Sequence, residues 1–146
     1  CRKGEALRAS WDQFDDSLRI WTKPAATTKQ RRLHRVPVSS EVTTLLAKRQ
    51  KSAVSKYVFD SGSGQPLTDI KKTWVSVTTA ANISNARVHD LRHTFASIAV
   101  SKGLSLPIVG AMLGHTQAQT TSRYAHLMDE PLLQAAELVS NSIERL

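Results

Sequence analysis

The chain has 146 residues, of which 20 are Lys or Arg and 12 are Asp or Glu, for a net charge of +8 and a pI near 10.1. Its hydrophobic content of 40% suits one globular domain with a sizeable core. No apolar run approaches the roughly 18 residues that span a bilayer, and no secretory signal is visible. A lone cysteine, Cys1, excludes an internal disulfide framework and suits a reducing, cytoplasmic compartment.

The charge is uneven. Between Arg19 and Lys51 nine basic residues (Arg19, Lys23, Lys29, Arg31, Arg32, Arg35, Lys48, Arg49 and Lys51) face one acid, Glu41. Residues 129–146 carry four acids and one Arg. A basic face implies a polyanionic partner, with double-stranded DNA the natural candidate. An acidic, apolar tail implies contact with protein. The abrupt start Cys1-Arg2-Lys3, without Met, is expected of a piece of a longer protein.

In chain order, residues 5–11 have helical spacing through Leu7 and Trp11, and residues 12–17 are turn-like. Residues 18–22 alternate as a strand. Residues 23–31 are polar, contain Pro24 and predict a basic loop. Residues 33–38 alternate again, with Pro37 suiting an edge strand. The two strands make a hairpin. Ser39 or Ser40 caps a helix that carries Val42, Leu45 and Leu46 to about Gln50. Tyr57-Val58-Phe59 reads as a third strand, and residues 60–66 as a flexible loop. A helix from Thr68 bears Ile70, Trp74 and Val77, and residues 82–86 break it. The next helix, over residues 88–102, stops at Gly103. Its Leu91, Phe95 and Ile98 form the expected core stripe, with His89, Arg92, His93 and Ala96 on the other side. Ser105 caps a short helix, with Pro107 in its first turn, that ends at Gly114. A turn or helix holds Tyr124, and Pro131 opens a final helix within residues 130–146.

Two blocks carry the chemistry: His89-Asp90-Leu91-Arg92-His93, and Leu113-Gly114-His115 followed by Tyr124. Arg92 offers a planar fork that matches two non-bridging phosphate oxygens. With Arg2 it would clamp the charge growing on a pentacoordinate phosphorane. The competing role is a solvated salt bridge. His89 and His93, four residues apart, would suit zinc. However, the residue after His89 is Asp90 rather than Glu, and no further ligands complete a site; His93 reads as a packing or hydrogen-bonding residue. His115 is either a helix C-cap or a donor to phosphate. Tyr124 is either a packing residue or a nucleophile whose phenolate nearby guanidiniums would favour. Tyr57, in an apolar run, reads as structural.

Arg2-x-x-Glu5, Lys29, His89-x-x-Arg92, Leu113-Gly114-His115 and Tyr124 occur in the order and approximate spacing of the tyrosine recombinase (phage integrase) family, which this chain resembles over nearly its whole length. Thr120-Thr121-Ser122-Arg123-Tyr124-Ala125-His126 resembles that family's nucleophile segment, and Val36-Pro37-Val38-Ser39 resembles the end of its hairpin. The resemblance implies a mainly α catalytic domain with a small three-stranded antiparallel β-sheet, preceded in the whole protein by a DNA-clamping domain. It implies strand cleavage and rejoining through a 3′-phosphotyrosyl link, with no metal or nucleotide cofactor. Arg2 and Arg92 would bind phosphate and Glu5 would support Arg2. Lys29, or alternatively Lys23, would protonate the leaving 5′ oxygen. His89 and His115 would stabilise the phosphorane and assist proton transfer, and Tyr124 would attack. Lys23, Arg31, Arg32, Arg35 and Arg123 would meet the DNA backbone. The final helix would dock on a neighbouring protomer, in a tetramer on DNA, or fold back on its own domain. Competing functions are a non-catalytic helix-turn-helix-like module around residues 106–127, a zinc hydrolase and a type IB topoisomerase.

Overall fold

A computed structural model describes residues 1–28 and 31–144; Lys29, Gln30, Arg145 and Leu146 lie outside the described residues. The backbone divides into two compact units, Cys1–His89 and Asp90–Leu146, and each has an apolar cluster of its own.

The first unit opens with α1 (Lys3–Leu7), followed by a 3-10 turn at Trp11–Gln13. Asp15 holds the next turn, accepting from the Ile20 amide at 2.8 Å and the Ser17 hydroxyl at 2.6 Å. Strand β1 (Ile20–Lys23) then pairs antiparallel with β2 (His34–Pro37), with Trp21 opposite Val36 and Lys23 opposite His34. Period-2 alternation puts Trp21 and Lys23 on the buried face of β1. Trp21 stacks on Phe14 at 5.7 Å and donates to the Gln13 side chain at 2.9 Å. Helix α2 (Ser40–Gln50) starts at Ser39, whose hydroxyl accepts from the Val42 amide. Leu46 buries against Ala9, Leu18, Trp21 and Val58. Helix α3 (Lys71–Ala80) is tied to the following loop by Trp74, whose indole donates to the Ala86 carbonyl at 2.8 Å.

Among the described residues the sheet has two strands, not three. Tyr57-Val58-Phe59 bridges at Tyr57 to Ser10 instead of joining the hairpin. Its neighbours bond to the segment after α1, from the Trp11 amide to the Lys56 carbonyl and from the Val58 amide to the Ala9 carbonyl, both at 2.9 Å. The Arg49 guanidinium also donates to the Val58 carbonyl. Its backbone groups are thus met locally, which removes the need for a third ladder.

The second unit contains α4 (Asp90–Ser101), α5 (Leu106–Leu113), α6 (Ala118–Ser122), a 3-10 turn at Ala125–Leu127 and α7 (Asp129–Ile143). Pro107 lies in the first turn of α5, and Gly114 ends it in the left-handed region at φ 69°, a conformation that costs glycine nothing. The core is Ala96, Ala99, Val100, Val109, Leu113 and Tyr124. The expected stripe on α4 is therefore inverted: Leu91, Phe95 and Ile98 are exposed, whereas Arg92, Ala96, Ala99 and Val100 are buried. Small residues let α5 approach α4 closely, and closeness rather than side-chain size decides the packed face. On α7, Leu132, Leu133, Leu138, Val139 and Ile143 are all exposed. Among the described residues no helix is long and apolar enough to cross a membrane.

Candidate functional site

In the first unit the site residues gather on Glu5. Glu5 occupies the third position of α1, where its side chain reaches back to the start of the helix. It accepts from the Arg2 amide at 3.1 Å, the Arg2 guanidinium at 2.8 Å and the Lys23 ammonium at 2.8 Å. Arg2 and Glu5 are thus in direct contact. Burial of Glu5 opposes its ionisation, but hydrogen bonds from Lys23 and Arg2 outweigh it and hold the carboxyl at about 2. Lys23 does not lie in the loop; it closes β1, is 2% exposed, and sits 5.0 Å from the centre of the Trp21 ring. A side chain so enclosed has no surface to offer a DNA backbone, and that expectation is corrected here. Sequence reasoning misplaced it because Pro24 marks a loop while the strand's alternation runs one residue further. Arg31, Arg32 and Arg35 are exposed along the hairpin. Lys29, expected as the general acid, lies outside the described residues. His89 is exposed and belongs to this unit, in the turn before α4 rather than within it.

In the second unit Arg92, His93, His115 and Tyr124 are linked by a closed circuit of contacts. The Arg92 guanidinium, buried, donates to the Leu113 carbonyl at 2.6 Å. Gly114 then turns the chain, and the His115 amide donates to the Gly110 carbonyl at 2.9 Å. His115 Nδ1 shares a hydrogen bond of 2.8 Å with the Thr121 hydroxyl. Thr121 in turn receives the Tyr124 amide on its carbonyl at 3.0 Å. The Tyr124 hydroxyl shares a hydrogen bond of 2.6 Å with His93 Nδ1, and His93 follows Arg92 on α4. Four residues of three types suited to phosphoryl chemistry are therefore held by one small helical unit. Arg123 is exposed beside them. Among the described residues no three His, Cys, Asp or Glu side chains are grouped to hold a metal ion. Helix α6, five residues long, is too short to serve as the recognition helix of a helix-turn-helix.

Sequence reasoning read His93 as a packing or hydrogen-bonding residue without naming Tyr124 as its partner, and did not single out Thr121 as a partner of His115. Thr121 is buried against Gly110, where an added Cβ would lie 2.9 Å from its hydroxyl. Gly110→Ala is expected to lower stability by about 1–3 kcal/mol through overpacking, although Ala favours a helix by about 1 kcal/mol. A urea titration checks this, and a raised midpoint would contradict the packing.

The phage integrase family model matches residues 1–130. The chain is 25% identical to the integrase of Salmonella phage P22 over 155 aligned positions, covering 96% of this chain and 39% of that protein. It superposes on the catalytic domain of bacteriophage HP1 integrase with a TM-score of 0.66 and 25% identity, over 94% of this chain and 73% of the other. It also matches the XerH site-specific recombinase, solved bound to its palindromic difH substrate, with a TM-score of 0.72 and 23% identity, over 95% of this chain and 42% of that one. The chain belongs to the phage integrase family. It spans less than half the length of the P22 integrase.

Proposed function

We infer that this chain is the catalytic domain of a site-specific tyrosine recombinase, most naturally the integrase of a prophage or another mobile element. It would cleave and rejoin double-stranded DNA through a 3′-phosphotyrosyl intermediate. The observation that carries this reading is the circuit that ties Arg92, His115 and Tyr124 together within the unit Asp90–Leu146.

In this reading Arg2 and Arg92 bind the non-bridging oxygens of the scissile phosphate, where guanidinium forks stabilise charge that grows in the transition state. Glu5 fixes Arg2. His89 and His115 donate to the phosphorane. Tyr124 attacks phosphorus and the 5′ oxygen leaves. The phosphotyrosyl ester keeps the energy of the broken diester, so a DNA hydroxyl reseals the strand without ATP. Arg31, Arg32, Arg35 and Arg123 meet backbone phosphates, which position the duplex without specifying its sequence. The enclosure of Lys23 by Glu5 favours Lys29 as the acid that protonates the leaving oxygen. The full protein would work as a tetramer on DNA in the cytoplasm, at the nucleoid, with the exposed apolar residues of α7 between protomers.

Incubating the natural full-length protein with a nicked duplex, followed by denaturing electrophoresis and peptide mapping, tests the reading. An adduct on Tyr124 is expected; an adduct elsewhere, or none, refutes it. Lys29→Ala is expected to slow cleavage by roughly 100-fold or more. A substrate whose 5′ bridging oxygen is replaced by sulfur should restore that loss, since a thiolate leaves without a proton. Restoration of Lys23→Ala instead would reverse the choice of acid.

A further inference from the structure

Tyr124 must lose a proton as it attacks. Its ring is embedded among Ala96, Ala99, Val100, Val109 and Leu113, and the residue is 7% exposed. Bulk water is therefore poorly placed to accept that proton, and releasing it into an apolar cluster would strand a charge. His115 Nδ1 is engaged by Thr121 at 2.8 Å. The group on the phenolic oxygen is His93 Nδ1, at 2.6 Å. The two rings are tilted by 46° with centroids 6.2 Å apart, so the contact runs edge to edge through the heteroatoms rather than by stacking. His93 is half-buried, which places this end of the tyrosine at the margin of the core.

We propose that His93 is a catalytic residue of strand cleavage, the base that takes the phenolic proton from Tyr124. The proposal rests on Tyr124 being the nucleophile. A neutral imidazole has one donor and one acceptor nitrogen, so the role requires the tautomer with hydrogen on Nε2 and a lone pair on Nδ1. In the forward step a lone pair of Tyr124 Oη forms the O–P bond, the O–H bond breaks and its proton passes to Nδ1. The P–O5′ bond breaks, and that oxygen takes a proton from the separate acid. In the reverse step a 5′ hydroxyl attacks phosphorus, Oη leaves, and the imidazolium returns the proton to it. One ring thus serves both halves of the exchange. An imidazole suits this because its ordinary pKa lies close to neutral pH, where a base is both available and strong enough to assist.

The test uses single-turnover formation of the covalent complex by the natural full-length protein, with duplex binding measured alongside. His93→Ala is expected to slow adduct formation by roughly 100-fold or more, with affinity for duplex little changed, and added imidazole should recover a substantial part of the rate. His93→Asn keeps an amide near the position of Nδ1, able to bond the phenol but not to carry its proton, and should remain slow. Adduct formation at near wild-type rate in either variant overturns the proposal. So does a slow His93→Ala protein that imidazole does not speed. If His93→Ala fails to fold, His93→Asn decides alone: slow cleavage with intact binding supports the base, and wild-type speed overturns it. Persistence of the adduct in Tyr124→Phe would instead remove the nucleophile on which the proposal stands, an outcome distinct from the failure of His93 alone.

Discussion

Replacing Tyr124 with Phe is expected to abolish the covalent protein–DNA complex, a loss of roughly 10⁴-fold or more, on the scale seen when an enzyme loses its nucleophile. Binding should survive. The guanidiniums and the exposed Arg31, Arg32 and Arg35 are untouched, and phosphate contacts supply most of the affinity for a duplex. The cost in stability should be small. The ring stays packed against Val100, Val109 and Leu113, and only the hydrogen bond to His93 disappears, which is worth about 0.5–1.5 kcal/mol net. Trapping on a nicked duplex reads the first effect, and a urea titration reads the second. A Phe variant that still traps DNA would show that the buried position of Tyr124 is what it resembles at first sight, a core residue. A variant that neither traps nor binds would place Tyr124 in the fold rather than in the reaction.

Much of this arrangement is legible in the sequence where the signals are local. Ser39 before Val42, and Pro107 with Gly114 around α5, mark helix ends through backbone hydrogen bonds a few residues apart. The hairpin follows from alternation on either side of the loop that opens at Pro24. Legibility stops where packing decides. Leu91, Phe95 and Ile98 are the larger apolar side chains of α4, so periodicity nominates them for the core; yet Ala96 and Ala99 are buried there, because α5 comes close only over small residues. The site divides in the same way. Arg2 with Glu5 is a contact three residues apart and was foreseen. Arg92 with the Leu113 carbonyl, and His93 with Tyr124, span 21 and 31 residues. No periodicity reports such pairings, and a histidine beside an arginine on a helix looks the same whether it packs, ligates or touches a nucleophile. Lys23 is the sharpest case. A lysine next to Pro24 in a basic segment reads as solvated, and only the carboxylate 18 residues away explains why it is enclosed.

That enclosure sets the largest expected effect on stability. Glu5→Ala would leave the Lys23 ammonium, 2% exposed, without its carboxylate, and breaking a buried pair from one side costs about 3–5 kcal/mol. Against a typical stability of about 5–15 kcal/mol, that is a large fraction of the total. Removing both charges together, as Glu5→Gln with Lys23→Met, should be far milder, since an apolar replacement of a buried pair is often close to neutral. The double variant should nevertheless react poorly, because Arg2 loses the charged partner that fixes it. Stability and activity are thereby separated at one site. The pH dependence follows from the same carboxylate. Its pKa falls from an ordinary 4.5 to about 2 in the folded chain, where hydrogen bonds from Lys23 and Arg2 override the opposing effect of burial. A depressed pKa contributes stability that is complete above the unfolded value and is lost as pH falls through the folded one. The wild type should therefore lose about 3 kcal/mol between pH 5 and pH 2 from this group alone. Urea midpoints measured across that range should fall steeply in the wild type and less steeply in the double variant. Parallel curves would mean that Glu5 is not the carboxylate that acid reaches, and that Lys23 is held in place by the fold around it rather than by its charge.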